Sequence, residues 1–78
     1  MEKKFLDEIA SILEVSPNKV DKNTVLSEHT WDSLAWLETA TFMDSEYNHM
    51  PTLKKLQKCI SISDLWDLLQ KDMLDERK

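Results

Sequence analysis

The chain has 78 residues, which fits one domain with a small core, since a chain of this size buries only roughly 60–65% of its unfolded surface. Hydrophobic residues make up 41% and charged residues 32%, the balance of a folded globular domain and not of a disordered tail. Fifteen acidic against ten basic residues leave a formal charge of −5, which excludes nucleic acid as an expected partner and favours a basic protein surface.

Met1-Glu2-Lys3-Lys4 leads into a charged periodic segment and not into an apolar signal core. Phe5, Leu6, Ile9, Ile12 and Leu13 then recur at i, i+1, i+4, i+7 and i+8, one stripe of a first helix with Asp7, Glu8 and Ser11 off it. Ser16-Pro17 supplies a stop, and can restart the chain as N-cap and first residue of a short turn through Val20. From Asp21 to Trp31 there is no period. A connection this long carries function or is pinned by apolar residues, here expected to be Val20, Val25, Leu26 and Trp31.

A second helix is expected from about Asp32 to Tyr47. At 100° per residue, Trp36, Ala40, Met43 and Tyr47 share a narrow core-facing stripe and Phe42 falls opposite it, packed on the loop or a neighbouring helix or offered to a partner. Pro51 closes the following turn, and Leu53 to Cys59 reads as a short third helix. Ser61-Ile62-Ser63-Asp64 has the form of a capping box with Asp in place of Glu or Gln, and it opens a last helix carrying Leu65, Trp66, Leu68, Leu69 and Met73. Only Ile60 to Ser63 alternates, too little to build a sheet. With no glycine in the chain, left-handed turns are expected at Asn23 or Asn48. The expected fold is all-α: a small four-helix bundle in a single domain, residues 1–78, with a long loop between the first and second helices.

Chemistry concentrates at Asp32-Ser33-Leu34, which places a hydroxyl at a helix entrance behind the aperiodic loop. Such a serine can be an N-cap and nothing more, and Asp32 can cap in its place. A negatively charged group on Ser33 would sit against the unpaired N–H groups at the positive end of the helix. Enzyme readings are poor: Gly-x-Ser-x-Gly is impossible without glycine, and the domain is too small to bury a triad built on His29 or His49. No catalytic residue is expected. Nor is a metal, because His29, His49 and Cys59 lack ligand spacing; the histidines read as surface or loop residues and Cys59 as a buried, inert thiol. A lone cysteine and no apolar run near 18 residues predict a cytoplasmic protein without membrane insertion.

Between Asp32 and Tyr47 the charges are Asp32, Glu38, Asp44 and Glu46, with no basic residue. This is a solvated face or a docking surface for basic patches. Leu37 and Thr41, four and eight residues after Ser33, lie on its side of the helix. Lys54, Lys55 and Lys58 reverse the charge in the third helix, as a solvated face or as a screen against wrong partners.

From Phe5 to about Leu69 the chain resembles the acyl carrier protein family. Leu13-Glu14-Val15 resembles the end of the family's first helix, Val20 and Leu26 its loop pins, Asp32-Ser33-Leu34 its attachment motif and Met50-Pro51 the apolar-proline pair after the second helix. Ile62, Leu65 and Leu69 resemble its last helix. The resemblance implies that Ser33 carries 4′-phosphopantetheine, added from coenzyme A by a phosphopantetheinyl transferase that supplies the base and the metal. It further implies a monomer that holds an acyl or aminoacyl thioester and presents it to loading, modifying and acyl-transfer enzymes of fatty acid or specialised metabolite biosynthesis. Asp32, Leu34, Leu37, Glu38, Thr41 and Asp44 are then the expected recognition residues. Glu14 in place of glycine, Trp31 before Asp32 and a basic third helix depart from the family pattern and suggest a specialised carrier. The competing expectation is a helical interaction module without a prosthetic group, binding a basic partner through its acidic second helix.

Overall fold

The structure, a computed structural model, describes residues 2–27 and 29–76, with side chains described as far as residue 74. Four helices follow in order: α1, Lys3–Ile12; α2, Ser33–Tyr47; α3, Leu53–Gln57; and α4, Ile62–Glu76; a 3₁₀ turn at Pro17–Lys19 lies between α1 and α2. Among the described residues there is no strand, only an isolated antiparallel bridge between Val25 and Ser61. The all-α bundle expected from the periodicity is the fold observed.

Each helix end has a local cause. α1 closes in a Schellman motif, with the Val15 N–H donating to Ala10 O at 2.9 Å and the Glu14 N–H to Ser11 O at 3.1 Å. That motif needs a left-handed residue, and Glu14 takes the role at φ 61°. The stop therefore comes before Ser16-Pro17. Asn48 is left-handed at φ 56° after α2, as expected, but Asn23 is not. Its turn closes differently: the Asn23 N–H donates to Asp21 Oδ1 at 2.8 Å and the Thr24 N–H to Asp21 O at 3.1 Å, which requires no positive φ. The capping box at α4 forms reciprocally, with the Asp64 N–H donating to Ser61 Oγ at 3.4 Å and the Ser61 N–H to Asp64 Oδ2 at 3.1 Å.

The core joins Phe5, Ile9 and Leu13 of α1 and its C-terminal cap to Ala35, Ala40, Phe42 and Met43 of α2, Leu56 of α3, and Ile62, Leu65 and Leu69 of α4. Rings from three helices meet in the core: Phe5 lies 5.0 Å from Trp66 and Tyr47 6.0 Å from Phe42, both edge to face, and Phe5 lies 5.9 Å from Phe42 in a tilted pair.

Phe42 is thus buried, against the expectation that it falls opposite the core. α2 packs on α1 along one side and on α3 along the other, so its buried sector spans about 160° at 100° per residue and reaches Phe42 at one edge. Ala40 and Met43 fill the expected stripe, while Trp36 and Tyr47 are only partly buried and pack against the core from its margin. Thr39, fully buried, was missed; its hydroxyl and the Trp36 indole N–H have no hydrogen-bond partner among the described residues.

Among the described residues Asp72 is the other buried polar one. It accepts from His49 Nε2 at 3.0 Å and from Lys55 Nζ at 3.3 Å, tying α4 to the α2–α3 connection and to α3. Burial alone would raise its pKa, but the His49 and Lys55 bonds outweigh it and hold the carboxyl below the usual range. His49 is accordingly a half-buried structural residue and not a plain surface one.

Candidate functional site

The site begins with the loop that delivers it. Leu26 N–H donates to Ile60 O at 2.7 Å, Ile62 N–H to Thr24 O at 3.0 Å and Ser63 N–H to Lys22 O at 2.9 Å, so the aperiodic segment is held along the start of α4. Leu26 and Trp31 are buried pins and Val20 a partial one; Val25 is not a pin, being 67% exposed, because backbone bonds and not its side chain hold that stretch. Trp31 donates from Nε1 to Leu56 O at 3.1 Å in the interior, which fixes the residue directly before Asp32 against α3.

Asp32 then caps α2. Its backbone is extended, Oδ1 accepts the Ala35 N–H at 3.0 Å and its carbonyl accepts the Trp36 N–H at 2.9 Å. With the cap supplied by Asp32, Ser33 becomes the first residue of the helix. It is exposed and its hydroxyl makes no hydrogen bond among the described residues. The N–H groups of Ser33 and Leu34, which have no carbonyl one turn back to receive them, leave positive partial charge at this end.

Down the helix, Ser33, Leu34, Leu37, Glu38, Thr41 and Asp44 all fall within an exposed sector of about 140° at 100° per residue. Leu34 is 62% and Leu37 51% exposed, large apolar side chains beside a free hydroxyl. Thr41 turns its hydroxyl back to Leu37 O at 2.9 Å. Glu38 and Asp44 form no ion pair among the described residues, whereas Glu46 is bound to Lys4 of α1 at 2.7 Å.

Helix packing adds Glu14, a neighbour that the linear sequence does not place here. Glu14, His29 and Thr30 share a hollow of about 150 Å³ with Asp32, Leu34 and Glu38. Glu14 reaches this position because α1 ends beside the head of α2.

Other candidate residues do not join the site. Lys54 and Lys58 are exposed on α3 and its C-cap, and Lys55 is engaged by Asp72. Cys59 is half-buried; burial, helped by the nearby Asp64 charge, pushes its thiol up to about 11, and it donates to Lys55 O, which makes it inert at neutral pH. Among the described residues no three potential metal ligands cluster, and no helix is long and apolar enough to cross a membrane.

The chain is similar to Probable polyketide synthase 24 of Dictyostelium discoideum, 28% identical over 76 residues. The similarity covers 96% of this chain and 3% of that protein, so the chain spans a small fraction of its relative's length. No family model and no solved structure matches.

Proposed function

We propose that the chain is a carrier domain of biosynthesis, holding an acyl or aminoacyl group on a 4′-phosphopantetheine arm esterified to Ser33. The observation that carries this reading is the division of labour at the head of α2. Asp32 does the capping, and Ser33 keeps an exposed hydroxyl with no structural partner. The distant similarity to a polyketide synthase over nearly the whole chain supports a module-sized unit of a biosynthetic protein.

The residues present fit the group. A primary hydroxyl at the first helical position suits a phosphodiester, because the backbone N–H groups of that turn favour negative charge beside it. When bound, the arm supplies a terminal thiol that holds the cargo as a thioester. This chain contributes the rest: Ser33 Oγ as attachment point, Asp32 and Trp31 to fix its position, and Leu34 and Leu37 with Glu38, Thr41 and Asp44 as the face read by other proteins. Activation of the hydroxyl falls to a separate transferase using coenzyme A, and the chain itself is not an enzyme.

Incubation with a broad-specificity phosphopantetheinyl transferase and a fluorescent coenzyme A tests this. Wild type should take up one label per chain, and Ser33→Ala none, with an unchanged circular dichroism spectrum. Equal labelling of Ser33→Ala would move the site elsewhere. Complete failure of wild type with several transferases would favour an interaction module without a prosthetic group.

A further inference from the structure

A groove of about 710 Å³ runs between α1 and α2. Phe42 and Ile12 form its apolar floor with the exposed Leu37 at one side, and Glu8, Glu14, Glu38 and Glu46 also line it, with no lysine or arginine in the lining. Glu46 is neutralised by Lys4, but Glu8, Glu14 and Glu38 form no ion pair among the described residues. Unpaired carboxylates around a low-dielectric floor concentrate negative potential there. The groove also leads to the candidate site: Ile12, Glu14 and Glu38 line both it and the hollow beside Asp32 and Leu34.

We propose that this groove docks a basic amphipathic helix of a partner protein. The identification of that partner as an enzyme acting at Ser33 rests on the carrier reading; the docking itself does not. From Glu38 to Glu46 α2 advances about 12 Å, just over two turns, so a helix of three or four turns covers the groove. Apolar residues of that helix spaced i, i+3, i+4 and i+7 meet Leu37, Ile12 and Phe42, and lysines or arginines flanking them meet Glu8, Glu14 and Glu38. Charge fixes the side of approach. The exposed Lys54 and Lys58 repel a basic helix from α3, while the rim of the α1–α2 groove attracts it.

The test uses unmodified ¹⁵N-labelled protein titrated with a leucine-lysine peptide of about four helical turns, its leucines spaced as above, and with a control in which serine replaces each leucine. Amide shifts should saturate and centre on Ser11, Glu38, Thr41 and Ser45, and the control peptide should bind much more weakly. Glu8→Lys combined with Ser45→Lys neutralises the net charge of the rim at positions away from Ser33 and should weaken binding about tenfold, with an unchanged circular dichroism spectrum. Shifts centred on α3, equal affinity for the control peptide, or unchanged affinity in the double variant would each overturn the proposal. So would groove shifts produced by Ser33 modification alone, which would make the arm the occupant. Because the titration needs no modification at Ser33, its failure is distinguishable from failure of the carrier reading.

Discussion

Replacing Glu14 with glycine should stabilise this protein, although it removes every side-chain atom at that position. The left-handed conformation at φ 61° costs a residue with a Cβ about 1–2 kcal/mol, and glycine escapes that cost. Against this stands the greater freedom of glycine in the unfolded chain, about 0.4–1 kcal/mol. The balance is about 0.5–1 kcal/mol in favour of Glu14→Gly, because no ion pair of Glu14 with a described residue is lost and the two Schellman bonds belong to the backbone. For a domain of this size that is a rise in Tm of about 2–8 °C, readable by circular dichroism melting and by urea midpoints. Glu14→Ala is the control, since alanine keeps the Cβ and should gain little. If alanine gains as much as glycine, the effect comes from removing a negative charge near Glu38 and not from the backbone. A glycine variant no more stable than wild type would refute the strain argument.

Phe42→Ala should cost about 3–5 kcal/mol, a large part of the stability of so small a domain, whereas the exposed Thr41→Ala should be nearly neutral; comparable losses in urea unfolding would contradict the buried sector assigned to α2. Thr39→Val should stabilise by about 1 kcal/mol, since it removes a buried hydroxyl without a partner at nearly constant volume, and a loss would mean that the hydroxyl is satisfied in solution. The pKa of Asp72 is lowered in the folded state by His49 and Lys55, so its contribution is fully present above the unfolded carboxyl value of about 3.9 and is lost as pH falls through the folded value. Asp72→Asn should therefore lower the urea midpoint at neutral pH and flatten its fall below about pH 4; an unchanged acid limb would show that other carboxylates dominate it.

What could be read from the sequence follows from the range of each interaction. Periodicity set the helices, and the capping box at Ser61 and Asp64 acted as written, because these signals are local. Phe42 was misplaced because a single stripe assumes one packing partner, and α2 has two. Asn23 and Asn48 were expected to be left-handed on intrinsic tolerance of positive φ, yet only Asn48 is, and the geometry of the α1 terminus puts Glu14 there, a glutamate where glycine would sit more easily. Asp72 with His49 and Lys55 spans three segments, so no spacing rule could join them. At the site, Ser33, Leu34, Leu37, Glu38, Thr41 and Asp44 lie on one helix and their common exposed face was legible; Glu14 comes from the turn that ends α1 and was not. The choice between Asp32 and Ser33 as cap needed coordinates, since both residues have the chemistry for it.

The central claim is that Ser33 carries the arm, and the most direct measurement is the intact mass of the protein coexpressed with a broad-specificity phosphopantetheinyl transferase, followed by fragmentation to locate the added group. The account predicts a single increment equal to one phosphopantetheine, localised to Ser33 and absent from Ser33→Ala. An unchanged wild-type mass, or an increment that maps to any other residue, would contradict it.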